Sequence, residues 1–167
     1  MTAAGAGAGR LARVSLVTGL VAATVEMAFV LPIQALVVHN SPERVFQFIA
    51  MGAIGRAAFH GGWTTAAEGV FWHVLVSVAF ATLYVLVARR WRFLLDRPLV
   101  TGTLLGVVAY VVMIFMVIPL SRIGFTMPEA NVLTLISFAI HLFAFGVPIA
   151  LVARAMLGHS ARATYSD

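Results

Sequence analysis

Gly69 to Arg90 reads GVFWHVLVSVAFATLYVLVARR, an apolar run long enough to cross a bilayer as a helix, for which about 20 residues suffice. His73 lies inside it. Hydrocarbon offers an imidazole no hydrogen-bond partner, so the protein must supply one, and an ionisable group at that depth is a functional candidate. On a helix, His73 shares a stripe with Gly69, four residues before it, and with Ser77, Phe80, Ala81 and Tyr84, four, seven, eight and eleven residues after it. Val74, Leu75, Val76, Val85 and Leu86 fall mostly outside that stripe. The small and polar stripe is expected to face other helices and the aliphatic side to face lipid.

The rest of the chain agrees with a membrane setting. Of 167 residues, 62% are hydrophobic and only 10% charged, against about a quarter charged in an average soluble domain. Mean hydropathy is +1.01. The net charge of +5 comes from 11 basic residues, all Arg; with no soluble domain to carry a binding face, nucleic acid is not an expected partner, and the charge reads as an orientation signal. The absence of Cys excludes disulfides, thiolate metal sites and thioether-linked haem.

Working outward, the first apolar segment covers about 13–38 after a short flexible tail, and it contains Glu26 and Pro32. A cleavable signal peptide is the alternative reading, disfavoured because the apolar run continues past Glu26 to Val38. Ser41 as N-cap, Pro42 at the first helical position and Glu43 in the first turn predict a short helix over about 42–54, too short to span and placed at the interface. Further spans are expected at about 65–88, 99–120 and 130–153. The expected architecture is all-α: a single polytopic four-helix bundle with one short interfacial helix between the first two spans, in contact with the lipid bilayer. Gly102 and Gly106 form a small-xxx-small pair that permits close packing, within the chain, in a homo-oligomer or against a membrane-complex partner.

Eight arginines (10, 13, 89, 90, 92, 97, 154 and 162) fall on one side of this topology and three (44, 56 and 122) on the other. The positive-inside rule then puts both termini in the cytoplasm of a bacterium, the chain in its inner membrane and the short helix on the outer face. A weak internal repeat is visible: Pro32-Ile33 and Pro119-Leu120 end the odd segments, and Val87 to Arg89 and Val152 to Arg154 repeat Val-Ala-Arg at the exits of the even ones.

With a rise of about 1.5 Å per residue, Glu26 lies about 18 Å, His73 about 12 Å, Tyr110 about 15 Å and His141 about 16 Å from the outer ends of their segments, in a core about 30 Å thick. Each sits on a stripe of small or polar residues: Glu26 with Gly19, Ala22 and Ala23; Tyr110 with Gly102 and Gly106; His141 with Thr134, Ser137 and Phe145. A charged carboxylate facing lipid costs roughly 2 to 3 kcal/mol or more, so these groups are expected to pair across the bundle. Ser77, Tyr84 and Ser137 are expected to support them. Four readings remain open. The layer is interhelical polar glue, a proton- or pH-responsive site, a metal site of two imidazoles and a carboxylate with Met27, Met113 and Met116 nearby, or a bis-histidine haem b site on His73 and His141. The primary expectation is a layer with no cofactor.

His39, His60 and His159 fall in loops or the tail, Glu68 near the interface, and Trp63, Trp72 and Trp91 read as interfacial belt residues. No Walker loop, dinucleotide fingerprint, HExxH or nucleophile elbow is present, and no enzyme activity is assigned.

The motif H-x-x-x-S-x-x-F-A-x-x-Y over His73, Ser77, Phe80, Ala81 and Tyr84, with Pro119-Leu120, Pro128 and His141, resembles the YagU-like family of small bacterial inner-membrane proteins. The resemblance covers roughly residues 70–145; the outer loop lacks the fuller proline-rich and acidic pattern, and the first hairpin is not clearly alike. It implies a four-helix inner-membrane protein linked to acid resistance and favours the titratable reading of the layer, without naming a substrate.

Overall fold

The structure is a computed structural model that describes the backbone of residues 3–124 and 129–163 and the side chains of residues 7–124 and 129–158. Pro128 and the side chains of His159 and Arg162 lie outside the described residues. Four helical segments, Gly7–Val38, Gly62–Arg90, Pro98–Leu120 and Val132–Gly158, are long and apolar enough to cross a membrane. The chain is an all-α, multi-pass membrane bundle. The first helix begins at Ala3 rather than after a flexible tail, because Ala and Leu carry it without a breaker through the glycines.

The short helix Pro42–Ile54 forms where its capping residues direct. Ser41 Oγ accepts the Arg44 amide at 3.2 Å, Pro42 occupies the first turn, and Gly55 ends the helix at φ 74°, a conformation open to glycine. This helix does not float on the membrane surface. It packs along the first half of the second span, where the Phe46 carbonyl rests on Gly69 so closely that no Cβ would fit there. The face of the bundle that holds this helix is the helix-bearing face; the opposite one carries both termini.

The spans pack in the order third, fourth, first, second, and the second and third make few direct contacts. Glycines set the two tightest crossings. Gly19 meets the Val78 backbone between the first and second spans, and Gly102 and Gly106 meet Gly146, Val147 and the His141 carbonyl between the third and fourth. The Gly102/Gly106 face is therefore occupied inside the chain and is not free for a partner. Buried Phe80, Val85, Phe145 and Ile149 form the core on the terminal side, and Leu83, Leu104, Phe115, Leu135 and Phe143 are exposed to the bilayer. Val85 was expected on the lipid side; it is fully buried because the fourth span covers that face as well.

Three spans contain a wider π turn: Gln34–Val38, Met113–Val117 and His141–Gly146. Each lies within a few residues of a proline (Pro32, Pro119 and Pro148). Proline lacks an amide hydrogen and its ring presses on the carbonyl four residues earlier; for Pro119 and Pro148 that residue, Phe115 or Ala144, lies inside the π turn, which relieves the clash, whereas the turn at Gln34–Val38 follows Pro32 and has no such account.

Among the described residues, Ser15 and Thr18 bury their hydroxyls without a hydrogen-bond partner on the terminal side of the first span. An unsatisfied buried hydroxyl costs about 1 to 3 kcal/mol, whereas an apolar group of the same shape costs nothing comparable. Thr18→Val is therefore expected to stabilise the fold by about 1 kcal/mol, read as a higher midpoint of thermal unfolding in detergent.

Candidate functional site

Glu26 reaches the bundle interior because Gly19, Ala22 and Ala23 on its face let the second and fourth spans approach the first. It is 6% exposed. Its carboxylate stands between two imidazoles: Oε2 is 3.9 Å from His73 Nε2, and Oε1 is 3.6 Å from His141 Nε2. The second span begins at Gly62, earlier than its sequence pattern suggests, so His73 lies about 16 Å from that end. This brings it level with the other two groups.

Backbone carbonyls fix the roles of the two rings, because a carbonyl only accepts. His73 Nε2 donates to the Ala23 carbonyl at 3.2 Å, and His141 Nδ1 donates to the Ser137 carbonyl at 2.8 Å. In their neutral forms, His73 therefore faces Glu26 with a nitrogen whose hydrogen is used on Ala23, while His141 turns a lone pair toward it. The arrangement is asymmetric: one proton can be shared between Glu26 Oε1 and His141 Nε2 with every other hydrogen kept in place. The gap of 3.6 Å is longer than a hydrogen bond, and a shift of about 0.8 Å closes it.

Tyr110 from the third span meets His141 ring to ring, centroids 5.4 Å apart and nearly perpendicular, and meets Phe138 in the same way. It meets the layer ring to ring, and among the described residues its hydroxyl makes no hydrogen bond to Glu26, His73 or His141. Ser77 donates to the His73 carbonyl at 2.8 Å, and Ser137 contributes its carbonyl. Tyr84 does not support the layer. Eleven residues separate it from His73, about 16 Å along the helix, and its hydroxyl instead joins the Leu94 carbonyl and Thr101 Oγ1, both at 3.0 Å, tying the terminal ends of the second and third spans together. Tyr84→Phe is expected to lower stability by about 1 to 2 kcal/mol without changing the chemistry at Glu26, checked by chemical denaturation of both proteins in the same detergent.

The metal and haem readings meet a geometric obstacle. A metal-ligating nitrogen needs a free lone pair; the His73 nitrogen nearest Glu26 is Nε2, which holds its hydrogen toward Ala23, and the Glu26 carboxylate fills the space between the two rings. Among the described residues no three His, Asp or Glu side chains are arranged to hold a metal ion. Met116 is 58% exposed toward lipid, away from the layer, although Met27 and Met113 line cavities that reach His73. Trp63 and Trp91 are exposed at opposite ends of the second span, as belt residues are, whereas Trp72 lies beside His73 at mid-depth.

Among the described residues, cavities reach the layer from its helix-bearing half, and an apolar core lies on its other side. A cavity of about 80 Å³ lined by Gln34, Ile136, Ser137 and His141 lies on its helix-bearing side, with room for at least one water. Toward the terminal face, Phe80 and Phe145 meet edge to face at 5.8 Å above a core of Val85, Ile149, Ala150 and Ala153. The fourth span's Gly146 and Ala150, which receive Gly102, were legible as a second small-xxx-small pair and went unread. The carbonyls of Ala23 and Ser137 carry no sequence signal.

Comparison of the chain with models of protein families, with curated proteins and with solved structures finds no match.

Proposed function

We propose that this integral membrane protein is a pH-responsive element whose titrating unit is Glu26 with His73 and His141. The observation that carries the reading is the position of one buried carboxylate between two imidazoles of opposite hydrogen-bonding role. Protonation changes the charge of a group that hydrocarbon cannot solvate, so it changes the pairing of the first, second and fourth spans together. Tyr110 is the group that faces this unit from the third span.

Because the apolar core of Phe80, Phe145 and Ile149 closes the terminal side, protons arrive from the helix-bearing face, and the site reads the pH of one compartment without conducting between two. The eight-to-three arginine asymmetry supports a bacterial inner membrane with the termini in the cytoplasm and the helix-bearing face outward. The motif around His73 supports kinship with the YagU-like family and a role in acid stress. No observation favours a redox cofactor over this reading.

The chain has three Trp and no Cys, which makes a sided experiment simple. With Trp63 and Trp91 replaced by Phe, Trp72 reports beside His73, and single introduced cysteines report orientation. In oriented vesicles, acidification on the helix-bearing side is expected to change Trp72 emission, and acidification on the terminal side alone is not. An equal response from both sides, or none, overturns the proposal.

A further inference from the structure

Two of the arginines that read as an orientation signal share a cavity at the terminal face. The turn Phe93–Asp96, between the second and third spans, packs against the end of the fourth. Between them lies a cleft of about 410 Å³. Arg92, Leu95 and Asp96 line it from the turn, and Leu151, Arg154 and Gly158 line it from one face of the fourth span, at helical spacings of three and seven residues. We infer that this cleft holds the headgroup of an anionic phospholipid, a glycerol phosphodiester whose phosphate lies on Arg92 and Arg154 and whose hydroxyl lies on Asp96. The site is at the opposite end of the bundle from the cavities that reach Glu26, and it does not depend on the proton-sensing reading.

The charges select the head. Among the described residues neither guanidinium makes an ion pair or a hydrogen bond, and the Asp96 carboxylate makes none either. Arg92 and Asp96 stand four residues apart, a spacing at which opposite charges pair on a helix, yet they remain apart beside the cleft. A phosphate accepts from the forked N–H donors of two guanidiniums at once. An ionised carboxylate only accepts, so the rest of the head must donate to Asp96. A glycerol hydroxyl does so, and a choline head, with no O–H or N–H, does not. Two arginines and one aspartate leave one positive charge in excess. A glycerol diester carries one negative charge and offsets it, whereas an ethanolamine diester is neutral overall. Asp96 is the one carboxylate at this face among the described residues, against seven arginines (10, 13, 89, 90, 92, 97 and 154).

The surroundings select a lipid over a soluble phosphate. Leu151 is 43% exposed on a membrane-crossing helix, so the cleft opens toward acyl chains as well as toward water. Trp91 and Phe93, on either side of Arg92, are exposed too, as aromatic residues at headgroup level are. Basic pockets between spanning helices bind anionic headgroups in this way.

The test uses the full chain in an uncharged detergent, with Trp63→Phe and Trp72→Phe leaving Trp91 as sole tryptophan. It is titrated with dioctanoyl phosphatidylglycerol, with the choline, ethanolamine and methanol diesters of the same chain length, and with inorganic phosphate. Saturable change of Trp91 emission is expected with phosphatidylglycerol, and each of the other four is expected to bind about tenfold more weakly or worse. Arg92→Gln and Arg154→Gln are each expected to weaken phosphatidylglycerol about tenfold. Arg89→Gln removes the same charge from the same face outside the cleft and is expected to weaken it by less than about twofold. Asp96→Ala is expected to erase the preference over phosphatidylmethanol, a diester of equal charge without the hydroxyl. Equal losses from Arg89→Gln and Arg154→Gln would reduce the effect to diffuse surface charge, and inorganic phosphate binding as tightly as the lipid would make this a soluble-anion site. Either result overturns the inference, as does a choline, ethanolamine or methanol diester that matches phosphatidylglycerol.

Discussion

Gly146→Val is expected to lower the unfolding midpoint by about 6 °C or more, the largest loss of stability from any single substitution considered, while Gly158→Val leaves it nearly unchanged. A Cβ at Gly146 would stand within 2.5 Å of the Gly106 amide nitrogen, and closer still to the Gly102 carbonyl oxygen. Both are backbone atoms of a facing helix, so neither can swing aside as a side chain would. The third span must then move away from the fourth, and because the third span touches little else, that one crossing holds it in the bundle. Overpacking of this kind costs about 3 kcal/mol or more, and at 2 to 4 °C per kcal/mol for a chain of this size the shift follows. Gly158 has nothing within 4 Å of its added Cβ, which makes it the matched control. Equal midpoints for the two variants would show that the third and fourth spans do not approach as described.

Glu26→Gln is expected to abolish the pH response of Trp72 while changing stability by less than about 1 kcal/mol. The amide keeps the size and polarity of the carboxyl between the rings: its NH₂ can turn toward the lone pair on His141 Nε2, and its carbonyl lies beside His73 Nε2, whose hydrogen stays on Ala23. It cannot take up or release a proton. Glu26→Leu removes the partner instead of the titration, leaves His141 Nε2 unsatisfied and is expected to cost about 1 to 3 kcal/mol. The two substitutions therefore separate a structural link from a titrating one. If Gln behaves like Leu in stability and like wild type in pH response, Glu26 is interhelical glue.

Much of this arrangement was legible because each helix advertises its own buried face. Gly69, Ser77, Phe80, Ala81 and Tyr84 are all buried, as their spacing implies, and the short helix over 42–54 follows from Ser41, Pro42 and Gly55. The unread parts are those that depend on a second helix. Tyr84 shares a stripe with His73, but a stripe fixes direction and not depth, and Tyr84 lies about 16 Å away along the axis. Val85 reads as lipid-facing until the fourth span is known to cover it. The π turns at Met113 and His141 follow from how their prolines are accommodated in the packed bundle, which no local pattern encodes. The roles of the two imidazoles rest on the carbonyls of Ala23 and Ser137, groups that every residue possesses and that only the fold brings to the rings.

The most direct measurement is solid-state NMR dipolar coupling between the labelled Glu26 carboxyl carbon and the ring nitrogens of His73 and His141, in protein reconstituted into lipid bilayers. With carboxylate oxygens 3.9 and 3.6 Å from the two Nε2 atoms, transfer to both rings is expected, together with an Nδ1–H tautomer for neutral His141 and an Nε2–H tautomer for neutral His73. Absence of transfer to either ring, with the imidazoles in contact with lipid acyl signals, would contradict the existence of the site.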